Sequence, residues 1–312
     1  MINCIGFIGT GFVIGILSGL FGVGGGFLLV PLLNVVFSVP YNIAIGSSLL
    51  QMVGTSTAST LKHRGYGHID YKLAGFILMG SVVGVELGAR VLMRLKNLGT
   101  ITINASTIST MDFWISIIYI ILLSLVGTSM FLESKKAKKR APQGGIVESV
   151  ISQKIQGIKI PPIISLPTSK IESISLWNLI FLGFGVGILS GLLGVGGGFI
   201  MSPALIYLIG VPTSVSIGTD LFQIIFTAGY GAITHLLKGN IDFILVGCIL
   251  VGSLVGSQLG AILNKKLRGA HIRYYFSLLI FFAAGIILIK FLFNIGLGNF
   301  FAQCQELGKI KK

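Results

Sequence analysis

The chain has 312 residues, of which 53% are hydrophobic and only 10% charged, and its mean hydropathy is +0.93. Soluble domains carry about 25% charged residues, so this composition excludes a water-soluble fold and turns most apolar residues toward lipid. The net charge of +14 lies in short stretches between apolar runs, which marks loops on the cytoplasmic side of a membrane and excludes a nucleic-acid-binding face.

In chain order, apolar segments lie at roughly 4–21, 27–39, 42–61, 72–93 and 112–132, then at 177–193, 199–210, 213–236, 242–264 and 274–294. A full crossing needs about 20 residues. The second segment of each set stops after about a dozen, before Pro40 or Pro212, and reads as a half-helix. Residues 1–132 form a first membrane unit and 177–296 a second, with a basic tail at 297–312. Between the units, residues 133–176 are rich in Lys, Ser and Pro, with Pro142, Gly144, Gly145, Pro161 and Pro162. They read as a mobile cytoplasmic linker. The N-terminus has no basic stretch before its first apolar run and reads as a first span, not a cleaved signal. Cys4, Cys248 and Cys304 are far apart in sequence and suggest no disulfide framework and no metal cluster.

The organising feature is an internal repeat. Shifting Gly15 onto Gly187 lays GILSGLFGVGGGF on GILSGLLGVGGGF, and about half of positions 15–90 are then identical without a gap. Pro31 falls on Pro203, Gln51 on Gln223, Thr55 on Thr227, His63 on His235 and Asp70 on Asp242. Apolar bias does not align Gln, His, Asp and proline at one offset. An odd number of segments per unit inverts the second unit relative to the first. The basic loops agree: Lys62, Arg64 and Lys72 follow segment three of the first unit, whereas Lys265, Lys266, Arg268 and Arg273 follow segment four of the second. With the linker inside, both termini lie outside; the tail residues Lys309, Lys311 and Lys312 fit that placement poorly.

Two motifs carry chemistry. In Gly22–Gly26 and Gly194–Gly198 four residues of each five are glycine, each costing about 1 kcal/mol in a helix, so the helix is expected to break there. The break cannot face lipid. Gly24, Gly25, Gly26 and Phe27, with Gly196, Gly197, Gly198 and Phe199, are expected to open new half-helices whose free N–H groups face an anion in an aqueous cavity. Close helix packing through glycine is the competing reading. The second motif is a polar stripe, Ser47, Gln51 and Thr55, repeated as Thr219, Gln223 and Thr227. These groups avoid lipid, and the carboxamides can donate to anion oxygens; interhelical hydrogen bonding competes with cavity lining. Asp220 replaces Ser48 of the first unit. An intramembrane carboxylate is functional by default, either as a proton carrier for coupling or as an orienting group. Glu86 and Arg90 suggest an i, i+4 ion pair, Lys290 a snorkelling cation, and Asp70 and Asp242 helix N-caps. Ser18 and Ser190 read as packing serines.

The duplicated GxxSGLxGxGGGF segment, the proline after it and the I-G-[ST] segment with a Gln resemble the sulfite exporter TauE/SafE-type transporter family, within the 4-toluene sulfonate uptake permease-like superfamily. The resemblance covers residues 5–132 and 177–296. It implies a multi-pass plasma-membrane protein, usually bacterial and then of the inner membrane, that moves small anions such as sulfite, thiosulfate or organosulfonates.

The expected fold is therefore all-α, a polytopic transmembrane bundle of two inverted repeats with broken helices. The expected partners are a small anion, the bilayer and a coupling proton or other ion, with no nucleic acid, no cofactor and no bound metal; a homo-oligomer stays open. A nucleophile with a base is not assembled by sequence, so no enzyme is expected. Uptake of the same anions, a channel, and a non-transport membrane protein are the alternatives.

Overall fold

The computed structural model describes residues 2–96, 99–103, 106–140, 150–193, 195–267 and 269–294. Helix α1 spans Ile2–Phe21, α2 Gly26–Val36, α3 Tyr41–Gly65, α4 Tyr71–Lys96 and α5 Thr110–Arg140. After α6, Val150–Gly157, the same order returns as α7 Leu176–Leu193, α8 Gly198–Ala204, α9 Thr213–Leu236, α10 Phe243–Lys266 and α11 Gly269–Asn294, with α8 continued by a π-helical turn, Leu205–Ile209. Among the described residues, six of these helices are long and apolar enough to cross a membrane. They are α1, α4, α5, α7, α10 and α11. Helices α3 and α9 are long enough too, but their polar stripes lower their hydropathy. They pack against each other at the centre of the bundle and bury those stripes.

The equivalent helices α3 and α9 pack antiparallel. The Asn42 amide at the start of α3 donates to Asn240 beyond the end of α9 at 2.9 Å, and the Asp70 N–H beyond α3 donates to Thr219 near the start of α9 at 3.0 Å. Helices α5 and α11 do the same, with Phe113 on Phe291 at 5.6 Å and Phe131 on Tyr274 at 6.0 Å between ring centroids. A two-fold that relates antiparallel neighbours lies across the helices, so the two repeats are inverted. The outer seams exchange partners between repeats and run parallel. Gly11, Gly15 and Gly19 of α1 lie on the carbonyls of Ile249, Ser253 and Ser257 in α10, and Gly80, Gly84 and Gly88 of α4 lie on those of Ile180, Phe184 and Ile188 in α7. A methyl group at any of these glycines would overlap the facing backbone, so much of the excess glycine serves close packing.

Each first helix runs nearly the full depth before its break. The Gly19 carbonyl lies 3.1 Å from His63 Nε2, near the far end of α3, and the Leu20 carbonyl accepts from Asn264 near the far end of α10 at 2.7 Å. The chain then doubles back. Phe37, just beyond α2, packs on Phe7 of α1 with ring centroids 4.6 Å apart. Thus α2 and α8 are the half-helices that Pro40 and Pro212 suggested.

Antiparallel packing gathers the basic loops of both repeats on one face, here the linker face. Lys265 lies over the Tyr66 ring at 4.6 Å, and Arg273 donates to Thr213 at 3.1 Å. On the opposite, N-terminal face Lys290 sits over the Tyr41 ring at 4.9 Å.

Two regions differ from the sequence reading. Residues 150–175 are folded and packed, not a mobile linker. Helix α6 is followed by a hairpin of two strands, Ile163–Leu166 and Ile171–Ser175. The hairpin buries Leu166, Ile171 and Ile174, Gln156 donates to the Ile209 carbonyl at 2.7 Å, and Ser169 donates to the Asp70 carboxylate at 2.7 Å. The apolar alternation in this stretch is only a few residues long and is masked by its Pro and Ser content. A second hairpin, of Thr100–Ile103 with Ser106–Ser109, joins α4 to α5. Pro142, Gly144, Gly145, Gly194, Arg268 and the tail from 295, including Cys304, Lys309, Lys311 and Lys312, lie outside the described residues, as do the side chains of Lys135–Arg140.

Candidate functional site

The two glycine breaks meet at the two-fold. Gly25 and Gly197 cap α2 and α8 in the left-handed region, at φ 90° and 87°, with no side-chain cap. Only glycine takes that conformation without strain. Gly26 approaches Val195, and Gly198 approaches Val23. Phe27 and Phe199 stack across the axis at 5.6 Å. The Met52 thioether fills the space that side chains at Gly24, Gly26 and Gly196 would need, and Ile224, its repeat equivalent, lies against Gly24 and Gly198. The midplane is therefore an apolar plug of two aromatic rings, one thioether and one isoleucine.

The polar stripes flank this plug. In the first repeat Gln51 Nε2 donates to Thr55 and, at 3.0 Å, to Ser253 of α10, and the Thr55 and Ser253 hydroxyls are 2.7 Å apart. In the second repeat Gln223 Nε2 donates to Ser81 of α4 at 2.9 Å, while Thr227 donates to the Gly196 carbonyl at 3.2 Å. Ser81 and Ser253 are themselves repeat equivalents, and the sequence reading missed both, although each stands at one offset in an apolar helix. The carbonyl oxygens of Gln51 and Gln223 are buried without a hydrogen-bond partner among the described residues. A buried orphan acceptor is costly. Turning each carboxamide over lets the serine hydroxyl, which both donates and accepts, bond the oxygen and frees N–H donors for a ligand.

The two breaks have different surroundings. The second borders a narrow crevice formed by Ser81, Gly187, Ser190, Gly196, Gln223 and Thr227, among others, which is packed too closely in this arrangement to hold a water molecule. Through Ser190 and Thr227 it adjoins a second small space, with room for about one water, lined by Val85, Ala89, Gly231, Thr234 and His235, toward the N-terminal face. The first break instead packs on Met52, Ile14 and Ile224, and its glutamine is tied to two hydroxyls. Ser190 thus borders the crevice as well as packing.

The remaining residues separate. Ser47 and Thr219 accept from the backbone N–H groups of Asp242 and Asp70, both at 3.0 Å; in this arrangement they join the repeats. Asp242 caps α10 through Ile244 and Leu245, and Asp70 accepts from Leu73. Asp220 lies away from the crevice, accepting from Ser202 of α8 at 2.7 Å, while Ser216 donates to the Ser202 carbonyl. The Glu86–Arg90 ion pair is formed at 2.7 Å, and Tyr230 adds a hydrogen bond to the same carboxylate at 2.6 Å. Among the described residues no three His, Cys, Asp or Glu side chains are grouped to hold a metal.

Inverted repeats with broken helices meeting between buried polar sets define a multi-pass membrane protein built on a transporter plan. The model of the sulfite exporter TauE/SafE family matches residues 7–287, and the chain belongs to that family. It is 29% identical to the probable membrane transporter protein YunE of Bacillus subtilis over 83% of this chain and 87% of that protein. It is 26% identical to the probable membrane transporter protein MJ0441 of Methanocaldococcus jannaschii over 86% and 89% of the two chains. A shorter match, 32% identical over 33% of this chain and 22% of the relative, is to sulfite exporter TauE/SafE family protein 1 of Arabidopsis thaliana. No solved structure matches. The family and these relatives are membrane transporters, not enzymes, and this chain is a multi-pass protein of the plasma membrane.

Proposed function

We propose that the chain is a secondary transporter of a small anion, in the first place a sulfur oxyanion or organosulfonate such as sulfite, thiosulfate or sulfoacetate, working by alternating access. The observation that carries this reading is the pairing of equivalent buried Gln/Ser/Thr sets across one apolar plug, with a narrow crevice beside the second set. The anion binds against the free N–H groups of a glycine break, and Gln51 or Gln223 supplies the donors. The plug keeps the two half-sites from opening together. With the positive loops and residues 133–176 on the cytoplasmic side, the crevice next to Gln223 belongs to the outer half. Asp220 carries the coupling proton: it is a carboxylate buried within α9 that accepts from Ser202.

The test is anion flux into proteoliposomes at controlled pH and membrane potential. Sulfite, thiosulfate or sulfoacetate should move faster than through protein-free liposomes. If none does, the substrate assignment is wrong.

A further inference from the structure

The α1–α10 seam brings together two cysteines that sequence spacing kept apart. Cys4 stands seven residues before Gly11 and Cys248 four before Gly252, so both fall on the seam faces of their helices. The seam register that sets Gly252 against Ile8 and Gly256 against Phe12 sets Cys248 against Cys4 one turn earlier; both thiols are free, and both are half-buried. Gly11 rests on the Ile249 carbonyl and Gly252 on that of Ile8. Helices whose backbones touch run closer than the usual 8–10 Å between axes, which favours the Cα separation of about 4.4–6.8 Å that a disulfide needs. The mirror seam between α4 and α7 has Phe76 and Leu176 at the equivalent positions and packs equally closely. The sulfur pair is therefore an addition to the seam and not a packing requirement.

We propose that Cys4 and Cys248 form a redox-responsive staple, a disulfide joining the first helix of one repeat to the fourth helix of the other. In the cell this rests on the orientation given above, which places the pair at the outer, oxidising face. The oxidant is a small disulfide or a disulfide-bearing oxidoreductase. One cysteine thiolate attacks it and expels a thiolate; the second cysteine, after losing its proton, attacks the mixed disulfide and expels the other. Two protein thiols lose two electrons and two protons, and the oxidant becomes two thiols.

The test uses the full chain carrying Cys304→Ser and a protease site inserted within residues 141–149, purified and exposed to glutathione disulfide. After cleavage the two halves should stay joined on a denaturing non-reducing gel and separate with reductant. With Cys4→Ser or Cys248→Ser they should separate without it. Oxidation should also raise the melting temperature by several degrees. Halves that separate after oxidation with both cysteines present overturn the proposal. Labelling intact cells with a membrane-impermeant maleimide distinguishes the orientation: cross-linking of purified protein with no labelling from outside after reduction overturns the orientation, and with it the staple in the cell.

Discussion

The two repeats share one sequence pattern and differ in how far their central sites are closed. In the first, Gln51 is held by Thr55 and Ser253, and the glycine break is stoppered by Met52. In the second, Gln223 holds Ser81 alone among the described side chains, and the break borders the crevice. The positions that differ between repeats explain part of this. Met52 is Ile224 in the second repeat; both side chains lie against both breaks, and the flexible thioether approaches Gly24 and Gly196 more closely than the branched one does. The repeats thus differ most plainly in how many hydroxyls hold each glutamine.

The seams should be the most sensitive and the most symmetric features. Gly84→Leu and its equivalent Gly256→Leu each force a side chain into a facing carbonyl, of Phe184 and Phe12 respectively. Each should cost more than about 3 kcal/mol and abolish a monodisperse peak in size-exclusion chromatography. Markedly unequal losses would break the two-fold description of the seams.

Next in size is the glutamine pair. Replacing Gln51 and Gln223 together with Leu should reduce anion flux at least about tenfold, as expected when hydrogen bonds to a charged ligand are lost. The fold should survive, because Ser253 keeps its bond to Thr55 and Ser81 keeps the Gly183 carbonyl. Wild-type flux in the double variant would remove the carboxamides from the site. Of the single variants, Gln223→Leu should weaken outer-face binding more than Gln51→Leu, measured as the apparent affinity for external substrate.

Asp220→Asn alters a position with no carboxylate in the other repeat. It should leave the fold intact, since an amide oxygen still accepts from Ser202, and should flatten the pH dependence of flux. An unchanged pH profile excludes Asp220 as the proton carrier. The smallest effect concerns His68, whose repeat equivalent is Asn240. Burial, and then Lys265, hold this loop imidazole below its ordinary 6.5. The folded state thus favours neutral His68, so its contribution to stability is present above pH 6.5 and is lost as pH falls below 6.5 toward the folded pKa. Melting temperature should fall over that window, and His68→Asn should reduce the slope; an identical slope removes His68 from the acid response.

Much of the architecture was legible because it rests on local rules. Glycine runs break helices, and prolines delimit the half-helices that follow. Asp70 and Asp242 precede helices, and Glu86 and Arg90 sit one turn apart; each signal lies within a few residues of its structural result. The site was legible only as a set of residue types. Ser47 and Thr219 share a stripe with the glutamines yet bond the Asp242 and Asp70 backbones, because each stripe meets the opposite helix antiparallel and its first turn faces that helix's end. The partners Ser81 and Ser253 lie on neighbouring helices, and no periodicity within α3 or α9 announces them.

By itself the sequence determined that the chain lives in a membrane, that it is two copies of one unit, that the copies are inverted and where each helix breaks. These follow from transfer free energy, backbone propensity and charge bias, all properties of neighbouring residues. Only the tertiary structure decided that the breaks meet on an apolar plug, that Gln51 is tied down more fully than Gln223, that residues 150–175 fold onto the linker face and that Cys4 is set against Cys248. Each of those depends on the register between helices far apart in the chain, which is set by how glycine seams and buried hydroxyls fit when the two repeats close on each other.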